Sequence, residues 1–341
     1  MREKAAYDTL KPMTISSWQQ ELREVIREPG ELLGKTGIQA ETVTLAKTAL
    51  DSFPVRVPAS YLARISQNNL NDPLLRQVLP LPEEDDTVPG FDVDPVGEFN
   101  KHSTAGLIRK YHGRVLLITT GVCAIHCRYC FRRHYPYSDN NPARKNWNAA
   151  LDIIRSDQTI KEVILSGGDP LSLADEKLEA LIRQLEDIPH LKWLRIHTRM
   201  PVVLPARVSE KLIDVIVTNR FRQTVVIHAN HPNEINEEVR SALALLHHAG
   251  IQLLNQSVLL RGVNDDALIL AELSDRLHAN HVLPYYLHML DPVAGAAHFE
   301  VNDTTATAIM EQLRTTLPGY LVPRLVRELE GAPYKTSIDQ Y

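Results

Sequence analysis

From about residue 112 the chain alternates short apolar runs with amphipathic ones. RVLLITT (114–120), EVILS (162–166), WLRIHT (193–198), TVVIHA (224–229), IQLLNQSV (251–258) and LPYYLHML (283–290) read as strands. Helical spacing follows in DEKLEALIRQLEDI, SEKLIDVIVTN, NEEVRSALALLHHAG, DALILAELSDRLHAN and TTATAIMEQLRTTL. Six strands in succession, the last five each followed by a helix, require a parallel sheet with right-handed crossovers. A barrel, full or partial, fits this pattern, and so does an open doubly wound sheet. No G-x-G-x-x-G follows the first strand, so a dinucleotide fold has little support.

In a βα barrel the chemistry sits on the loops after the strands. Three cysteines follow the first strand here, and Ser166-Gly167-Gly168-Asp169 follows the second. His197 and Arg199 follow the third, and His228 and Asn230 the fourth. Asn255 and Gln256 end the fifth, and His288 and Asp291 end the sixth. Any one of these reads most simply as a cap or a satisfied loop residue. All six groups together predict one mouth.

Residues 1–100 read as a helical region closed by a linker, and 101–341 as a barrel with a tail. In ISSWQQELREVIREPG, Ser17 caps a helix that puts Trp18, Leu22, Val25 and Ile26 on one face. Pro29 and Gly30 are expected to end it. ETVTLAKTALDSF predicts a second helix. Residues 81–99, acidic and rich in proline, read as a linker or as a packed loop. The net charge of −5 argues against a broad nucleic-acid or anionic-membrane footprint. The start, MREKAAYDTL, has no apolar signal core, and no run is long enough to span a bilayer. A cytoplasmic protein is expected, with neither nucleic acid nor membrane as partner.

All three cysteines of the chain, Cys123, Cys127 and Cys130, lie within eight positions. Three unrelated thiols would not cluster so. A Cys3His zinc knob using His126 or His134 is one reading, although structural zinc usually draws on two ligand pairs. An iron–sulfur cluster is the other, since thiolates on short loops hold such clusters. Three thiolates on a four-iron cube leave one iron open to a substrate or cofactor.

C-x3-C-x2-C after the first strand of a βα barrel resembles the radical S-adenosylmethionine (SAM) superfamily, with an aromatic residue, Tyr129, before the last cysteine. The segments CRYCFRRHYPY, SGGDPL, HTRMPVVLP, HANHPNEI, LLNQSVLLRGVND, PYYLHMLDPV and VPRLVRELEGAPYKT are together similar to the lysine 2,3-aminomutase family. The resemblance spans about residues 110–336. It implies a partial (β/α)6 TIM-like barrel of the radical SAM type, with an N-terminal helical extension. The implied cofactors are a [4Fe-4S] cluster on Cys123, Cys127 and Cys130, SAM, and pyridoxal 5′-phosphate (PLP) on Lys335. Ser166, Gly167, Gly168, Asp169 and Arg199 would lie against SAM, where glycines let backbone approach a ligand. Arg114 and Gln256 match contacts to the PLP phosphate. Arg132 matches the grip on the substrate carboxylate, which suits a planar guanidinium. Asp291 and Glu328 match the pair that receives the ε-ammonium.

There are departures. Glu328 stands where the clostridial-type enzymes have aspartate, and the glycine run before the PLP lysine is reduced to Gly331. No cysteines remain for the zinc site with which some relatives join subunits, so a homo-oligomer would need other contacts. The implied reaction is an isomerisation in which a SAM-derived radical takes hydrogen from the β-carbon of free L-lysine. The amino group then moves from C2 to C3. An electron donor must reduce the cluster. The short chain and the tail pattern resemble the bacterial branch that makes (R)-β-lysine for elongation factor P. Two alternatives stand beside this reading: the same chemistry on arginine or glutamate, and a Cys3His zinc module that binds RNA.

Overall fold

The computed structural model describes residues 18–99, 102–104, 106–109, 111–137 and 147–338. Ten strands form one sheet in chain order. They are β1 (His102–Thr104), β2 (Leu107–Ile108), β3 (Arg114–Thr120), β4 (Glu162–Gly167), β5 (Trp193–His197), β6 (Arg222–Ile227), β7 (Gln252–Val258), β8 (Val282–His288), β9 (Arg324–Arg327) and β10 (Thr336–Ser337). Strands β3 to β9 are parallel. β1, β2 and β10 add antiparallel edges. A sheet whose spatial order repeats its chain order curls steadily one way. Among the described residues β1 and β10 do not pair, so the barrel stays partial.

All six expected strands are present. The seventh parallel strand, β9, lies in the segment read only as a tail, and Glu328 follows its last residue. The helices of the barrel are α6 (Asn148–Ser156), α7 (Asp175–Glu186), α8 (Met200–Val203), α9 (Glu210–Ile216), α10 (Glu237–His248), α11 (Ala267–Ala279) and α12 (Asp303–Thr316). Ser209, Asn236, Asp266 and Asn302 cap α9 to α12 through side-chain oxygens. No described helix is long and apolar enough to cross a membrane.

The N-terminal helices are α1 (Trp18–Arg23), α2 (Pro29–Lys35), α3 (Thr48–Ser52), α4 (Ala59–Leu62) and α5 (Pro73–Arg76). Here the sequence reading needs correction. The first helix stops at Arg23, and Ile26 instead pairs with Val57 through two backbone hydrogen bonds of 2.9 and 3.1 Å. Pro29 and Gly30 open α2 rather than end a helix, because a proline without an N–H is well placed at a first turn. Ser17 lies outside the described residues. The second helix shrinks to α3. Of the two readings of residues 81–99, the packed loop is the one observed: Glu84 and Glu98 are buried, and Asp85 accepts from the backbone N–H groups of Lys47 and Ala49. Leu32, Leu33, Val57, Tyr61, Leu74 and Leu75 join the core that β3 to β7 build with their helices.

Candidate functional site

The cysteine loop leaves the end of β3. Its backbone closes two tight turns, Cys130 N–H to Cys127 O at 3.0 Å and Arg133 N–H to Cys130 O at 3.1 Å. Residues from the N-terminal region fix it from outside, with His126 N–H donating to Arg56 O and Arg128 N–H to Gln77 O. His126 stacks on Phe53 and engages Pro54 O through Nδ1, while His134 engages Ala294 O. Withdrawal from water pushes the Cys130 thiol up to about 11, with Cys127 adding to the effect. Burial, then Cys130, raises Cys123 well above the usual thiol range. Such thiols become thiolates only as a metal centre binds and their protons leave.

The glycines after β4 pack against this loop. Gly168 N–H donates to Thr120 O at 2.7 Å and Asp169 N–H to Val122 O at 2.8 Å. A Cβ on Gly168 would meet Val122 O at 2.5 Å, and one on Gly167 would meet Thr120 O at 2.6 Å. Gly167 also has φ +122°, a region open to glycine. These glycines let two loops of protein approach each other. Asp169 accepts from Thr198 Oγ1 and from the N–H groups of Leu171, Arg199 and Met200. Burial nonetheless raises its carboxyl to about 6.

One cavity of about 340 Å³ collects the site. Cys123, Cys127, Cys130, Arg132, Ser166, Gly167, Gly168, Asp169, Arg199, Arg114, Gln256, Asp291, Glu328 and Lys335 all line it. Arg114 opens β3 while the cysteines follow its end, a separation of roughly 20 Å along the strand. The cavity therefore has two ends.

At the cysteine end, Arg199 points Nη1 at Cys127 Sγ and gives Nη2 to Gln77 and Glu234. Tyr129 is buried, and its hydroxyl engages His228 Nε2 at 2.8 Å and accepts from Asn230 Nδ2 at 2.7 Å. Burial and the Arg199 charge hold His228 down at about 3, so its ring is neutral. Arg132 is held by Glu98 through Nε at 2.6 Å and Nη2 at 3.0 Å, and it gives Nη1 to Ser166 Oγ at 3.1 Å. At the other end, Glu328 accepts from Tyr111 Oη and from Lys335 Nζ, each at 2.6 Å. Arg195 lines the wall beside His197. Burial, then Arg195, Lys335 and Arg132, keep His197 well below its usual range. His197 Nε2 is buried and without a hydrogen-bond partner among the described residues. A slip in the β7–β8 register between Asn255 and Gln256 puts Gln256 opposite Tyr286.

The residues fit the groups that the resemblance implies. Three thiols on one wall suit a cluster with one open iron. Arg114, Arg195, Lys335 and the unpartnered His197 nitrogen suit an anion such as a phosphate ester, with Glu162 balancing Arg195 and Arg114. Two expectations need correction. Asn230 and Asn255 do not line the cavity. Asn255 ties β6 to β7 through Ala229 and Ser257, and Asn230 braces Tyr129. Sequence reading missed Glu98, Tyr111, Arg195, Tyr285 and Tyr286, which all line the cavity. Arg195 was legible: it stands two residues from His197 and so faces the same side of β5. Glu98 lay hidden in a stretch whose acidity reads as solvent exposure.

Comparison with known proteins places this geometry. The pattern of the Radical SAM superfamily matches residues 117–273. A protein of Escherichia coli (strain K12) named L-lysine 2,3-aminomutase is 48% identical over 333 residues, 97% of each chain. The Haemophilus influenzae protein of that name is 44% identical, over 94% of this chain and 95% of the other. That of Buchnera aphidicola subsp. Baizongia pistaciae is 42% identical, again over 94% and 95%. Likeness over nearly the whole chain overturns the zinc-module alternative. The chain belongs to the lysine 2,3-aminomutase family of radical SAM enzymes, isomerases whose membership implies a [4Fe-4S] cluster, SAM and PLP.

Proposed function

We propose that the chain converts free L-lysine to (R)-β-lysine, depends on PLP held by Lys335, and supplies its product for attachment to elongation factor P. The observation that carries this reading is the single two-ended cavity, which brings three thiols, a cationic wall and two carboxylates together.

When bound, the cluster and SAM supply the radical that removes a hydrogen atom, and PLP supplies the carbon–nitrogen double bond across which nitrogen moves. Cys123, Cys127 and Cys130 hold the cluster. Ser166, Gly167, Gly168, Asp169 and Arg199 wall the methionine end of SAM. Asp169 and Arg199 do so while tied into protein contacts of their own. Arg114 and Gln256 take the phosphate, with Arg195 and His197 completing that wall. Arg132 grips the α-carboxylate of the substrate. Its Nε–Nη2 edge is filled by Glu98, so a bound carboxylate meets Nη1, now on Ser166. Asp291 and Glu328 receive the ε-ammonium. Two carboxylates on the lining of one cavity favour a cationic side chain and disfavour glutamate. Tyr129, Val258, Tyr285 and Tyr286 line the walls and limit water around a radical.

The test is anaerobic. The protein is reconstituted with iron and sulfide, then given PLP, SAM, a strong reductant and L-lysine, with chiral derivatisation and mass spectrometry as readout. (R)-β-lysine that vanishes without SAM is expected. SAM cleavage with lysine unchanged, or arginine preferred, overturns the substrate assignment. Elongation factor P from cells lacking the chain should lose the mass of a β-lysyl group; an unchanged mass removes the pathway link.

A further inference from the structure

The acidic stretch 81–99 places Glu84 beneath the cysteine loop, with its side chain fully buried. Glu84 holds two arginines of that loop at once. Arg128, between Cys127 and Tyr129, gives Nε to Oε1 at 2.8 Å and Nη2 to Oε2 at 2.6 Å. Arg133, three residues past Cys130, gives Nη2 to the same Oε2 at 2.6 Å. Phe53 underlies both guanidinium groups, at 5.0 and 5.1 Å from its ring centre, and its carbonyl accepts Arg128 Nη1 at 2.6 Å. Arg133 Nη1 closes the circuit on Arg128 O at 2.9 Å and Gly295 O at 3.1 Å. A Cβ at Gly295 would stand 2.9 Å from Arg133 Nη1, so the passage accepts only glycine without displacement.

We infer that Glu84 is the positioning residue of the cluster loop: by holding Arg128 and Arg133 on either side of Cys130, it fixes the spacing of the ligands. Two buried cations share one anion, which leaves one positive charge beside the loop. A four-iron cluster with three thiolates is anionic, and more so when reduced. The residual charge therefore favours both retention of the cluster and its reduction. Removing a single partner from such a network leaves buried charge uncompensated. Elements that orient metal ligands from behind commonly set affinity, by about 10- to 100-fold.

The inference rests on Cys123, Cys127 and Cys130 as the cluster ligands. The experiment compares reconstituted full-length protein, Glu84→Gln and Arg133→Met, with Cys127→Ala as control. Far-ultraviolet circular dichroism checks folding. Chelator-driven iron loss is expected to run roughly tenfold faster in Glu84→Gln and in Arg133→Met. The midpoint potential, followed by electron paramagnetic resonance, is expected to rise in Glu84→Gln, which adds net positive charge. It should fall in Arg133→Met, which removes it. A loop merely loosened would not give opposite signs. Wild-type iron retention in both variants, or potentials that do not move in opposite directions, overturns the inference. Should Glu84→Gln fail to fold, Arg133→Met alone decides: a lowered potential with faster iron loss supports it, and anything else overturns it. A cluster retained in Cys127→Ala overturns the ligand assignment itself.

Discussion

Two regions hold the reactive groups, and they are built differently. The cysteine loop is clamped from below by Glu84 and Gln77, from the side by the glycines after β4, and from within by Tyr129. The tail that carries Lys335 runs along the surface: Tyr334 is 69% exposed, Leu329 is 47% exposed, and Lys335 is only partly covered. The Lys335 side chain is held by the Glu328 carboxylate, and the backbone just beyond it pairs with β9. The difference follows from what each region must do. Under the proposed assignment the cysteine loop holds the same cluster throughout the reaction, so rigidity serves it. Lys335, under the same assignment, must let the substrate amine take its place on PLP, and a side chain held by one ion pair can leave it while Thr336 and Ser337 stay paired with β9.

The contrast can be broken most directly by removing one anchor on each side. Cys127→Ala is expected to abolish cluster loading, read as bound iron and sulfide. Lys335→Ala should remove the absorbance of protein-bound PLP and leave the iron content at wild type. Loss of both cofactors in either variant would erase the distinction.

A matched pair of glycine substitutions sharpens it. Gly168→Ala drives a Cβ into Val122 O at 2.5 Å, a backbone atom that cannot step aside. Destabilisation of about 3 kcal/mol is expected, with impaired cluster loading. Gly331→Ala meets nothing within 4 Å and bears only its φ of +78°. It should lose about 1–2 kcal/mol at most and load its cluster normally. Thermal melts of the metal-free chains read both, and equal losses would mean that the tail is as tightly packed as the loop.

The buried Asp169 carboxyl links the loop's stability to pH. Its folded value of about 6 lies above the ordinary carboxyl range near 3.8, because burial disfavours the charge. A raised acid contributes stability below its unfolded value and loses it as pH rises through the folded one. Metal-free protein should therefore lose roughly 2–3 kcal/mol from this group between about pH 4 and pH 6. Asp169→Asn should flatten that slope in chemical unfolding; an unaltered slope assigns it to another group. The smallest expected effect is on binding. Arg132→Lys should raise the KM for lysine by about tenfold to thirtyfold, because an ammonium cannot keep Glu98 and a substrate carboxylate on two edges. Equal weakening of SAM binding would place Arg132 elsewhere.

The sheet and the thiol triplet were legible in the sequence for the same physical reason. Both announce themselves by local spacing, through the period of apolar residues and the interval between cysteines. The acidic stretch 81–99 was legible only as a choice between two readings. LPEEDDTVPGFDVDPVGEF reads equally as a linker or a packed loop, and nothing local decides between them: charge predicts exposure, yet Glu84 and Glu98 are buried by arginines far along the chain. The short N-terminal helices were overextended in reading because tertiary pairing of Ile26 with Val57 overrode helical periodicity. β9 was hidden because four residues are too few to show a period.

The partners of the cysteine loop also bear on the order in which the molecule is made. Glu84 stands 44 residues from Arg128 and 49 from Arg133, and Glu98 stands 34 from Arg132. Tyr111 and Glu328 are 217 residues apart. A nascent chain that has just completed the cysteine loop already holds these glutamates behind it, and closing loops of that size costs less entropy than closing the tail. During synthesis from the N-terminus, the Glu84 clamp on the cysteine loop can form while β4 to β9 are still unmade. The end that carries Glu328 and Lys335 must wait for the last strands. The thiols are thus housed early, and the lysine arrives last.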